Sequence, residues 1–125
     1  MTTEALTDLQ LAVMKALWRV GEGTVGDVSA AMAADGRELA PTTVATLLQR
    51  LSKQGWVTHR QSGRQFVYRA CTDEKETARG ALQRIVSTFF GGKVSAVAAQ
   101  LLESEDLTAD ELDEMRKLIK AKRGG

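Results

Sequence analysis

The chain has 125 residues, 43% hydrophobic and 26% charged, with a net charge of +1. That is room for one globular domain or two very small ones, and the whole molecule is no polycation. One cysteine and one histidine exclude an intrachain disulfide and a Cys/His metal site by count. No apolar run approaches the roughly 18 residues of a membrane span. The acidic start, MTTEALTD, lacks the pattern of a signal peptide, so a reducing cytoplasm is the expected compartment.

Charge is distributed unevenly. Residues 1–70 carry 8 Lys and Arg against 6 Asp and Glu, and residues 71–125 carry 9 against 10. An anionic partner would therefore meet a local patch and not a global field.

Thr7-Asp8-Leu9-Gln10 has the form of a capping box, with a hydroxyl at the N-cap and a Gln three residues on. Leu9, Val13, Ala16 and Leu17 form an apolar stripe behind it, joined by Met14 and Trp18. Gln10, Lys15 and Arg19 are left on the polar side. The helix should stop at Gly21-Glu22-Gly23. Thr24-Val25-Gly26-Asp27 opens a shorter second helix with Val25, Val28 and Met32 inward, broken at Asp35-Gly36-Arg37.

Pro41 fits the first residue of a third helix, where a missing N–H costs nothing. Val44, Leu47, Leu48 and Leu51 recur at helical spacing, leaving Thr42, Thr43, Thr46, Gln49, Arg50 and Lys53 on the other face. Gly55 ends the helix. Strands over 56–61 and 64–69 should flank a Ser62-Gly63 turn, pairing His59 with Phe66, Val57 with Tyr68 and Arg60 with Gln65. That register puts Val57, Phe66 and Tyr68 in the core and points Arg60 and Arg64 outward. His59 is given no role.

Two helices and a turn followed by a basic hairpin is the order of a winged helix-turn-helix. No Asp or Glu occurs between Leu39 and Thr72, while Arg50, Lys53, Arg60, Arg64 and Arg69 do. A helix lined with hydroxyls and an Arg fits the major groove, and the hairpin arginines can reach flanking phosphates or the minor groove. A solvated basic face is the bland alternative; the coincidence of an acid-free run with helix-then-hairpin order favours DNA.

Three more helices follow. Ala78, Ala81, Leu82, Ile85, Val86, Phe89 and Phe90 form one stripe, ending at Gly91-Gly92. Val94, Val97, Ala98, Leu101 and Leu102 form the next, and Leu112, Met115, Leu118 and Ile119 are the expected buried face of the last, capped by Thr108 with Glu111. Arg116, Lys117, Lys120, Lys122 and Arg123 complement the end of its dipole. About fifty residues are marginal alone. These helices must pack on the first seventy residues or on another copy, and adjacent Phe89 and Phe90 favour a homodimer through Leu82, Ile85, Phe89, Phe90, Leu101, Leu112, Met115 and Leu118. The expected fold is mainly α with a small β-hairpin: a winged helix-turn-helix over 1–70 and a three-helix dimerisation region over 71–125.

The chain resembles the penicillinase-repressor family (the BlaI/MecI type). The residues that carry the likeness are Leu11-Ala12-Val13-Met14 through Leu17-Trp18, Pro41 to Leu51 with its P-x-T-V-x-T-L-L-x-R-L pattern, Lys53-Gln54-Gly55-Trp56-Val57, Phe66-Val67-Tyr68, Gly91-Gly92, and Glu105-Asp106-Leu107-Thr108 with Glu111-Leu112. The resemblance implies a dimeric repressor whose third helix reads a palindromic operator; no cofactor and no metal is expected. It places Thr42, Thr43, Thr46 and Arg50 on the DNA, with Arg60 and Arg64 on the wing. Where some members have a Lys two residues into the third helix, this chain has Thr42. The resemblance also implies a regulatory membrane protease that cuts an Asn-Phe bond; at that position this chain has Gln100-Leu101. A copper-responsive branch carries paired C-terminal cysteines, and none follows Cys71 here.

Two other classes compete. A winged-helix adaptor without DNA binding should show an apolar or acidic face where this chain is polar and basic. An enzyme would have to work with pairs such as Asp110 with Glu111 or Asp113 with Glu114, which read as solvated helix acids.

Overall fold

The structure, a computed structural model, describes residues 5–124. Helices α1 (Asp8–Val20), α2 (Val25–Ala34) and α3 (Pro41–Lys53) are followed by strands β2 (Val57–Ser62) and β3 (Gln65–Ala70). Helices α4 (Glu74–Phe90), α5 (Val94–Leu102) and α6 (Ala109–Gly124) complete the chain. A two-residue strand, β1 (Glu22–Gly23), lies between α1 and α2 and pairs antiparallel with β3, making a three-stranded sheet of order β1-β3-β2. The sequence reading stopped α1 at these residues and did not foresee the strand. Two compact units result, Met1–Ala81 and Leu82–Gly125. Among the described residues no single helix is long and apolar enough to cross a membrane.

The first unit is built around one core. Val13, Met14, Ala16 and Leu17 of α1 meet Val28 and Met32 of α2, and Val44, Leu48 and Leu51 of α3. Val57 and Tyr68 close it from the sheet. Burial pushes the Tyr68 phenol above its ordinary pKa, as its place at the edge of an apolar core requires.

Local chemistry fixes where the helices begin. Thr7 and Gln10 form the expected capping box, with reciprocal bonds of 3.1 Å. That bond bends Gln10 inward, and its amide donates to Gln54 Oε1 at the end of α3, 3.2 Å away. Gln10 is therefore buried, contrary to its expected place on the polar side. Thr24 and Asp27 cap α2 in the same reciprocal way. Arg19 ties the end of α1 to the end of α2 through the Asp35 carboxylate and the Ala31 carbonyl, and the carboxylate holds its guanidinium above its ordinary pKa.

α4 is tethered at its start. The Trp18 indole N–H donates to the Thr72 carbonyl at 2.7 Å, and Lys15 lies 3.8 Å from Glu74. Asp73 accepts the backbone N–H of Glu76 as an N-cap.

Gly23 is where strand and helix cap share space. A Cβ there would lie 2.9 Å from Asp27 Cβ and 3.5 Å from Val20 Cγ2. Gly23→Ala should overpack this joint and cost about 1–3 kcal/mol. Gly26→Ala, with nothing nearer than Thr24 Oγ1 at 3.7 Å, should instead add a few tenths to about 1 kcal/mol through helix propensity. Urea denaturation of the two variants checks the opposite signs.

Candidate nucleic-acid interface

Packing of one stripe of α3 determines what the other stripe offers. With Val44, Leu48 and Leu51 in the core, Thr42, Thr43, Thr46, Gln49, Arg50 and Lys53 are all exposed. At about 100° per residue these six fall within an arc of roughly 120°. Gln49 lies on this arc beside Thr42, and sequence reasoning left it out of the candidate set. The signal was available, since Gln49 stands at i+3 from Thr46 and i+7 from Thr42. A Gln amide matches the edge of adenine.

The face has few internal partners. The Thr46 hydroxyl donates to the Thr42 carbonyl at 3.0 Å, which leaves its oxygen as an acceptor. Among the described residues, Arg50 and Lys53 form no ion pair with a carboxylate. The first turn of α3 has Pro41 at its start, no acid and no side-chain cap. The positive end of its dipole is thus left open to an anion.

The wing differs from expectation in register. Its turn is Gly63-Arg64, with Ser62 opposite Gln65, Gln61 opposite Phe66, Arg60 opposite Val67 and His59 opposite Tyr68. Gly63 has φ +63° at the first central position, where a type II′ hairpin turn calls for glycine. A Ser62-Gly63 turn would put serine there. The change moves the cross-strand pairing by two residues, so every side chain keeps its face. Val57 and Tyr68 remain in the core. Phe66 does not: it lies beyond the core's edge, 47% exposed, edge-on to the His59 ring at 4.7 Å. His59 Nδ1 is also 3.4 Å from Ser52 Oγ, which links the wing to α3.

The two wing arginines are not equivalent. Arg64 lies in the turn and makes no ion pair among the described residues. Arg60, expected to be free, has its Nη2 2.9 Å from Glu22 Oε1. The sequence could not show this, because the partner arrives on the unforeseen strand β1.

The candidate interface residues of the second unit are not brought into any core. Leu82, Ile85, Phe89, Leu101, Leu112 and Leu118 are exposed, Phe90 and Met115 are half-buried, and none of the described residues from 82 onward is buried. The expected buried face of α6 is thus open in the single chain. These amphipathic helices cover one another only partly.

A family model described as penicillinase repressor matches residues 6–121. The chain is 26% identical over 114 residues to the penicillinase repressor of Bacillus licheniformis, spanning 91% of this chain and 88% of that protein. It is 34% identical over 116 residues to the transcriptional regulator BlaI of Mycobacterium tuberculosis (strain CDC 1551 / Oshkosh), spanning 91% and 82%. The solution structure of the DNA-binding domain of the repressor BlaI matches with a TM-score of 0.52 at 31% identity, covering 60% of this chain and 90% of that domain.

Arg50 and Lys53 share the exposed face of α3 but are suited to different contacts. Arg50→Ala should cost ~1–3 kcal/mol on a duplex selected by the protein and much less on random sequence, as expected for a bidentate base contact. Equal losses on both duplexes would assign Arg50 to phosphate. Parallel titrations of the two duplexes decide.

Proposed function

The chain belongs to the penicillinase repressor family and is a DNA-binding transcriptional repressor, and on that premise we propose that it acts as a homodimer on a palindromic operator, silencing a promoter by occupying it. In this reading residues 1–70 read DNA and residues 71–125 dimerise. Thr42, Thr43, Thr46, Gln49 and Arg50 meet base edges in the major groove. Arg64 meets backbone, and Arg60 does so once released from Glu22. Such a protein works in the cytoplasm, where the chromosome lies, and needs no catalytic residue of its own.

The observation that carries the dimer is the second unit's lack of buried residues. Phe89 is 77% exposed and Leu118 68%, with Ile85 at 44% and Leu101 at 51%. Apolar area of this kind is worth about 25 cal/mol per Å² once covered. A second copy supplies matching helices by symmetry, so the same patch covers itself. It also places two α3 helices for half-sites about 34 Å apart.

Release by cleavage at Gln100-Leu101 forms no part of the proposal. The pair differs from the Asn-Phe bond that the resemblance implies, and both residues lie inside α5, where helical backbone is a poorer protease substrate than a loop tip.

The test follows from the exposure. Ile85→Glu and Leu118→Glu place a charge at positions open in the single chain, so the first unit should stay folded. In a dimer the same carboxylate is buried and unpaired, which should dissociate it. Sedimentation should show a monomer. Operator affinity should fall on the order of 10²-fold, because linkage between half-sites is lost. A monomeric variant with full operator affinity would overturn the dimer-dependent mechanism.

A further inference from the structure

We propose that Glu22 limits the phosphate affinity of the wing by competing with DNA for Arg60, an inference that rests on reading α3 and the wing as a DNA-binding face. The outer face of the sheet carries Glu22 on β1, Thr58, Arg60 and Ser62 on β2, and Gln65, Val67 and Arg69 on β3, as the register dictates. Glu22 is its one carboxylate, since no acid occurs between Leu39 and Thr72. It stands directly opposite Arg69 across the β1–β3 pair.

Arg60 is on the far strand, β2, so its side chain has to cross β3 to reach Glu22. Two strand spacings are about 9–10 Å, which a long Arg and a Glu can span together. The resulting contact is 2.9 Å. Arg60 is thereby drawn across the sheet toward β1, while Arg64 stays in the turn. Both partners of the pair are at least half exposed, so the bond is weak in water and can be exchanged for a phosphate.

Glu22 then acts twice. It occupies Arg60, and its own charge repels the DNA backbone. Phosphate contacts carry no sequence information. A residue that weakens them lowers binding to operator and to bulk DNA by about the same factor, and so sets overall affinity and its salt dependence while base readout stays with α3. Glu22 is in this sense a residue that sets DNA affinity and its salt dependence without touching a base.

The test is Glu22→Gln in the full chain, which keeps the shape of the side chain at an exposed position. Two duplexes of equal length are titrated across a range of salt: one selected by the wild-type protein from a random pool, the other unselected. Glu22→Gln should bind the unselected duplex about 3–10-fold tighter at low salt, with the slope of log affinity against log salt steeper by ~0.9 per wing. Arg60→Ala should cost more in the Glu22→Gln background than in the wild type, and the double variant should keep only the smaller part of the gain that comes from losing the carboxylate's own charge. An unchanged slope and affinity in Glu22→Gln, or a gain undiminished by Arg60→Ala, would overturn the proposal. Arg50→Ala separates this from the underlying reading. If it leaves the selected duplex bound as before, α3 is not the reader; if it weakens that binding while Glu22→Gln changes nothing, the Glu22 inference alone has failed.

Discussion

Burial of Val44, Leu48 and Leu51 against Met14 and Leu17 fixes the rotation of α3 about its own axis, and much of the surface depends on that setting. A helix buried on one stripe has no freedom to choose its other stripe. Turning α3 by one residue would expose leucines and bury a threonine or Arg50, at a cost of several side chains' transfer free energy. The core is thus what aims Thr42, Thr46, Gln49 and Arg50 together. Capping reinforces it from both ends, for Gln10 completes the N-cap of α1 and reaches Gln54 where α3 stops.

The wing depends on the same core at one remove. Val57 and Tyr68 anchor the root of the hairpin, and Gly63 closes its tip. Between them the outer face is free to carry charge. Strand β1 makes that face three strands wide and brings Glu22 to it, so the surface is less cationic than the hairpin's own composition. A DNA-binding protein benefits from restraint of this kind. Weaker backbone attraction keeps attachment reversible on operator and bulk DNA alike.

In the second unit the balance is reversed. The helices of 82–124 are amphipathic, and α6 is capped, Thr108 accepting the Glu111 N–H at 3.1 Å, yet they enclose no core. Helix propensity and capping contribute tenths of a kcal/mol to about one each, too little to hold so small a unit alone. In the proposed homodimer its apolar faces would find cover in a second copy, which would make assembly and operator affinity parts of one equilibrium.

Sequence alone determined what is local. Helix starts at Thr7, Thr24 and Thr108 were legible because a cap involves residues three apart, the start at Pro41 because proline suits a first helical residue, and stripes because a helix repeats every 3.6 residues. The candidate face of α3 came with them, apart from Gln49, whose spacing already placed it there. What only the tertiary structure decided is non-local. The pairing of Glu22 with Arg69, the contact of Glu22 with Arg60, the burial of Gln10 and the exposure of Phe66 each depend on a partner or edge far along the chain. The hairpin register lies between the two cases: either two-residue turn preserved the inward alternation, so the pattern could not choose, and the backbone preference of Gly63 did. The open faces of α4 to α6 carry the same lesson, for a periodic stripe shows that a helix has an apolar side but not what will cover it.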